Sequence, residues 1–101
     1  MQLLGLITLK QNESADDYER WVREVVHPAA LNLPSISTYD VYRVAAPFRP
    51  GGPVPYQFAE VVEITSLEDV RRDFALPEMV ELLTEFARRA DAVFLTANQI
   101  T

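Results

Sequence analysis

An α+β fold, with helices covering one face of a four-stranded antiparallel sheet, follows from three observations. Four apolar stretches of strand length and two amphipathic helical stretches occur in the order strand, helix, strand, strand, helix, strand. Each helical stretch opens on a serine three residues ahead of an aspartate. The chain has 101 residues and no cysteine, enough for one core without cross-links, so 1–101 is expected to be a single domain.

The first strand is expected over Gln2 to Lys10. Both of its alternating sets, Leu4/Leu6/Thr8 and Leu3/Gly5/Ile7/Leu9, are mostly apolar, so it is expected to be central and covered on both faces. Gly5 inside such a strand marks a close approach, expected here to be a packed helix rather than a ligand. Ser14 is the expected cap of the first helix, with Asp16 and Asp17 at the positive end of its dipole. Tyr18, Trp21 or Val22, Val25 and Ala29 recur at helical spacing. Pro28 disfavours helical geometry at His27, so the helix is expected to stop or kink there.

The second strand is expected over Ile36 to Ala45, with neither face purely polar. Four of the seven prolines and two of the three glycines fall between Ala46 and Pro55, which reads as a loop that can cover a pocket. The third strand runs from Tyr56 to Ile64. Ser66 and Asp69 begin the second helical stretch, and Pro77 restarts it as a longer helix to Arg89 with Val80, Leu83, Phe86 and Ala87 as the expected buried stripe. Ala92 to Ile100 closes the order as the last strand.

This order is the split βαβ unit of ferredoxin-like folds. Helices cover one sheet face, and the other is rich in aliphatic and aromatic side chains. It is expected to be buried against a second copy, giving a homodimer through the sheet faces.

Composition excludes several function classes. With 15 acidic and 9 basic residues the net charge is -6, which argues against nucleic acid. No stretch approaches the length of a membrane span, and the N-terminal segment lacks a signal peptide's basic start and cleavage site. A cytoplasmic location is therefore expected. One histidine and no cysteine leave no metal cluster, and no phosphate-binding glycine loop is present, so no cofactor is expected.

The chain resembles the dimeric α/β-barrel superfamily, and within it the REDY-like proteins of prodiginine-type pigment biosynthesis. The resemblance is carried by Trp21 with His27-Pro28, by Leu33-Pro34-Ser35-Ile36 with Tyr39-Asp40-Val41-Tyr42-Arg43, and by Ala59 to Ser66 followed by Pro77. It implies a dimeric barrel with a pocket between sheet and helices in each subunit. The superfamily includes monooxygenases, polyketide cyclases, isomerases, dehalogenases and haem-handling enzymes, so the fold leaves the chemistry open.

His27 is the principal candidate acid or base, because its ordinary pKa lies near neutrality. The alternative is that it only complements a helix C-terminus. Tyr39 and Glu63 are expected beside it, completing a set that enolises or condenses a carbonyl compound. Trp21, Tyr42 and Phe58, together with Tyr56 and Phe94, are candidates for an aromatic lining, with core packing as the alternative reading. Glu60 and Arg43 are the candidate polar contacts. Glu60 and Glu63 have opposite parity and cannot share a face of a regular strand.

The function expected is a small cofactor-free biosynthetic protein binding an aromatic or polyketide- or pyrrole-like intermediate. A non-catalytic ligand carrier and a cofactor-free monooxygenase are the alternatives. An exposed His27, or too small a pocket, would favour the carrier.

Overall fold

A computed structural model describes residues 1–101. Four strands, β1 (Gln2–Leu9), β2 (Ile36–Arg43), β3 (Phe58–Ile64) and β4 (Ala90–Ala97), form one antiparallel sheet in the order β2-β3-β1-β4. The fold is ferredoxin-like. β1 is central, as its two apolar sets require: it pairs with β3 from Gln2↔Glu63 to Ile7↔Phe58, and with β4 from Gln2↔Ala97 to Leu9↔Ala90.

The helical segment after β1 begins where expected. Ser14 caps α1 (Ala15–Trp21), its Oγ accepting from the Asp17 N–H at 3.1 Å. It does not end at His27. A π turn over Val22–Val26 carries it into α2 (His27–Leu31). Pro28 has no N–H to give, and its ring would crowd the carbonyl one α-turn back. The widened turn, in which the His27 N–H reaches the Val22 carbonyl, lets the helix pass the proline without stopping. The same turn moves the buried stripe to Tyr18, Val22, Val26 and Ala30, leaving Val25 exposed.

After β3, Ser66 caps α3 (Leu67–Phe74) through the Asp69 N–H at 3.0 Å. Pro77 then opens α4 (Pro77–Arg89). The buried stripe of α4 is Met79 with Leu82 and Phe86 rather than one centred on Val80 and Ala87, both of which are exposed. The turn into β2 is held by Asp73 of α3, a buried carboxylate that accepts from the Ser35 N–H at 3.0 Å.

The helices cover one face of the sheet, where the core forms two clusters. Ala30, Leu33, Ile36, Val62, Ile64, Val70 and Met79 make one, and Ile7, Tyr18, Val22, Val26, Phe58 and Ala90 make the other. Tyr39 and Leu82 pack against both. Between Phe58 and Val62 on this face of β3 stands Glu60, 7% exposed, so the seam between the clusters is also where the one buried glutamate sits. The opposite sheet face carries Leu4, Leu6, Val61, Val93 and Leu95, with Val93 and Leu95 about half exposed.

Candidate functional site

Glu60 lies on β3 opposite Gly5 of β1. A Cβ at Gly5 would come within 2.5 Å of Glu60 Cγ and 3.0 Å of both Glu60 Oε1 and Phe94 Cε1. The glycine is therefore the space into which the Glu60 side chain folds across the sheet. The close neighbours are two side chains rather than a helix. On its other side Glu60 Oε2 accepts the Tyr39 hydroxyl at 2.7 Å. Tyr39 reaches it from the edge strand β2, directly after a register shift between Ile36 and Thr38. Such an irregularity re-aims the side chains that follow it.

The pair forms the polar wall of a cavity of about 130 Å³ between sheet and helices. All the other lining residues are apolar, Val26, Val62, Met79, Leu82, Phe86 and Phe94 among them. Burial in this setting pushes the Glu60 carboxyl above the usual carboxylate range, against the opposing pull of the Tyr39 hydrogen bond. Burial, then the Glu60 charge and hydrogen bond, push the Tyr39 hydroxyl far up, so the phenol keeps its proton. Tyr18 is raised in the same way, by burial and then by Glu60. The carboxyl is the group of the pair that titrates, and it does so nearer neutrality than an ordinary glutamate.

His27 is elsewhere. Its side chain is exposed at the rim of a second, outer hollow of about 360 Å³ between the helical segment and β2. Glu19, Arg23, Asp40 and Arg43 also line it. Its ring meets Tyr39 edge-on, with centroids 6.1 Å apart. The structure thus brings His27 beside Tyr39 but not beside Glu63. Glu63 has the parity of the uncovered sheet face and takes the N-terminal ammonium at 3.2 Å. The carboxylate facing Tyr39 is Glu60, because Glu60 shares its face of β3 with Phe58, Val62 and Ile64.

The remaining candidates divide. Phe58 is buried against Tyr18, centroids 4.8 Å apart, and also borders the outer hollow. Trp21 stands outside both spaces, under the Arg89 guanidinium at 4.9 Å. Arg89 is in turn held by Glu13 at 2.6 Å and Glu85 at 3.1 Å. Tyr42 is on the uncovered sheet face, 57% exposed, at the edge of the outer hollow. Arg43 pairs with Asp16 of α1 at 2.9 Å. The close approach at Gly5 was expected from the sequence, but that its partner is the Glu60 side chain was not. The signal for Glu60 was visible: it is a lone charge in an alternating set that is otherwise apolar.

No group of histidine, aspartate and glutamate side chains has the arrangement of a metal site. No helix is long and apolar enough to cross a membrane.

Comparison with known proteins agrees with this architecture. The profile of the family described as REDY-like protein HapK matches residues 1–100. No curated protein matches the chain. Among solved structures, HapK from Hahella chejuensis superposes with a TM-score of 0.81 at 27% identity, covering 99% of this chain and 93% of its own. SnoaB, a cofactor-independent oxygenase from Streptomyces nogalater, gives 0.70 at 13% identity over 97% and 92%. A dimeric ferredoxin-like protein of unknown function from Thermobifida fusca gives 0.66 at 19% identity over 95% and 89%. The last two likenesses concern the fold alone.

Proposed function

This chain belongs to the family of the REDY-like protein HapK, and on that premise we propose that it is a cofactor-free biosynthetic protein acting on a small aromatic, pyrrole- or polyketide-like intermediate. The cavity between sheet and helices takes the reacting ring, and Glu60 with Tyr39 carries the acid–base chemistry. One observation carries this reading: a buried carboxyl, hydrogen-bonded by a tyrosine at 2.7 Å, is the polar wall of an otherwise apolar cavity. Apolar clefts with few convergent polar groups and shifted pKa values are where ligands and chemistry are found.

The chemistry such a pair supports is a condensation or cyclisation. Ionised Glu60 accepts the proton of a C–H bond next to the ligand's carbonyl. The electron pair of that bond moves onto the carbonyl oxygen. The enolate carbon then attacks a second carbonyl carbon, and the alkoxide formed takes the proton back from Glu60. Raising the carboxyl toward neutrality matches the base to the task. Tyr39 keeps its proton throughout and fixes the carboxyl by its hydrogen bond.

Glu60→Gln is the test. It keeps the volume and removes the titrating group. Turnover is expected to fall by about 10²- to 10⁴-fold, with ligand affinity changed far less. Unchanged turnover would refute the assignment. Ligand binding with no turnover by the native protein would make the chain a carrier, which the exposed position of His27 favours. Oxygen consumption with an electron-rich anthrone would make it an oxygenase.

We further propose that the protein works as a homodimer joined through the uncovered sheet faces. The apolar residues there leave an uncovered patch of the kind that marks an interface. Leu95→Asp, on the β4 side of this patch, is expected to give a folded monomer in sedimentation. An unaltered dimer would place the interface elsewhere.

A further inference from the structure

The inner cavity and the outer hollow share one wall, the Tyr39 side chain. On one side of it lie Glu60 and the apolar lining; on the other lie His27, Arg23 and Arg43. Backbone irregularities stand on both sides of this wall. The π turn over Val22–Val26 sends Val26 to the cavity and Val22 to the hollow, and the register shift in β2 immediately precedes Tyr39. Both kinds of irregularity recur at functional sites, where they redirect side chains.

A space of about 130 Å³ is close to the engineered cavity of about 150 Å³ that takes up benzene. It therefore holds one ring. The outer hollow adds a larger and more polar space directly behind the tyrosine. From these relations we propose that Tyr39 is a specificity-determining partition, and that swinging it outward joins the two spaces into one site for ligands of two or more fused or linked rings.

In the joined site the leading ring lies against the apolar lining and the polar end lies beside His27, Arg23 and Arg43. The hydrogen bond to Glu60 is the latch, because the swing must break it. The freed hydroxyl meets polar neighbours in the hollow, while the Glu60 carboxyl gives up its one side-chain hydrogen bond, which is the cost of opening. A ligand requiring the open form binds more weakly by the fraction of time the latch is open.

This inference rests on the reading that the inner cavity takes the ligand. Its test separates the two. Phenol, 1-naphthol and anthrone, with one, two and three rings, are titrated by NMR into the native protein, Tyr39→Phe and Tyr39→Ala. Tyr39→Phe keeps the ring and removes the latch, and it serves where Tyr39→Ala does not fold. Phenol, which fits the cavity with Tyr39 in place, is expected to gain least from either substitution. Anthrone and 1-naphthol are expected to bind Tyr39→Phe about tenfold more tightly than the native protein, the typical worth of one hydrogen bond, and Tyr39→Ala at least as tightly. If phenol binds but the order of preference for ring number is the same in every variant, the partition is refuted and the cavity reading stands. If phenol binds none of them, the cavity reading fails and the partition with it.

Discussion

The two spaces on either side of Tyr39 differ in what water does to them. The outer hollow holds the only histidine and four charged side chains, yet it is open and its charges are solvated. The inner cavity holds one carboxyl among apolar side chains. Exclusion of water acts on that single group: the Glu60 carboxyl is lifted by burial. A charge loses solvation in proportion to how little polar material replaces it, and only the Tyr39 hydroxyl replaces it here. The chemistry proposed for Glu60 therefore rests on dryness and not on the count of titratable residues.

The most severe way to break that contrast is at Gly5. Replacing Gly5 by Ala puts a methyl 2.5 Å from Glu60 Cγ. Alanine would otherwise favour a strand slightly over glycine. The clash outweighs this, because Glu60 is held between the sheet and Tyr39 and cannot swing freely to solvent. Gly5→Ala is expected to cost about 1–3 kcal/mol in denaturant unfolding, the usual cost of overpacking a core. It should also dislodge Glu60 from Tyr39, returning the carboxyl toward its ordinary titration range when followed by NMR. Native-like stability with native-like Glu60 titration would show that the strand can shift to make room.

A smaller effect is expected in the pH dependence of stability. The folded Glu60 binds its proton more tightly than the unfolded chain does, since its pKa is raised. Protons are then released on unfolding, and stability falls as pH rises from the ordinary glutamate value through the folded one. Thermal unfolding of the native protein should show this loss as pH rises above the ordinary glutamate value. Glu60→Gln should lack that component of the slope. Parallel profiles for the two proteins would mean that the cavity is wetter than its lining implies.

Much of the architecture was legible in the sequence because it depends on short-range rules. Apolar residues on both of its faces placed β1 at the centre, the two serine–aspartate pairs marked the helix starts, and Pro77 marked α4. The passage of the helix through Pro28 was not legible, since a π turn is an accommodation to packing rather than a local preference. That extra residue also explains why the buried stripe continues at Val26 and Ala30 rather than Val25 and Ala29. The site was half legible. Tyr39 and Glu60 were among the candidate residues, and parity alone kept Glu60 and Glu63 apart. Which of the two glutamates meets Tyr39 depended on which face of β3 the helices cover. Gly5 gained its meaning only from the register that sets it opposite Glu60.

The smallest effect, and the one that most sharpens the contrast, concerns His27. Its side chain makes no hydrogen bond or ion pair and is exposed, so His27→Ala is expected to change stability by less than about 0.5 kcal/mol. Binding of a one-ring ligand in the inner cavity should be unaffected, because Tyr39 stands between. An effect should emerge only with ligands long enough to extend past Tyr39 into the hollow, and it should appear there as a modest loss of affinity. If His27→Ala instead abolished turnover of a one-ring substrate as fully as Glu60→Gln, the division of labour would be reversed. The wet rim would carry the chemistry, and the dry pair would merely shape the cavity. The comparison therefore requires both variants to be assayed on the same substrate, with ring number as the variable that tells chemistry in the cavity from contact in the hollow.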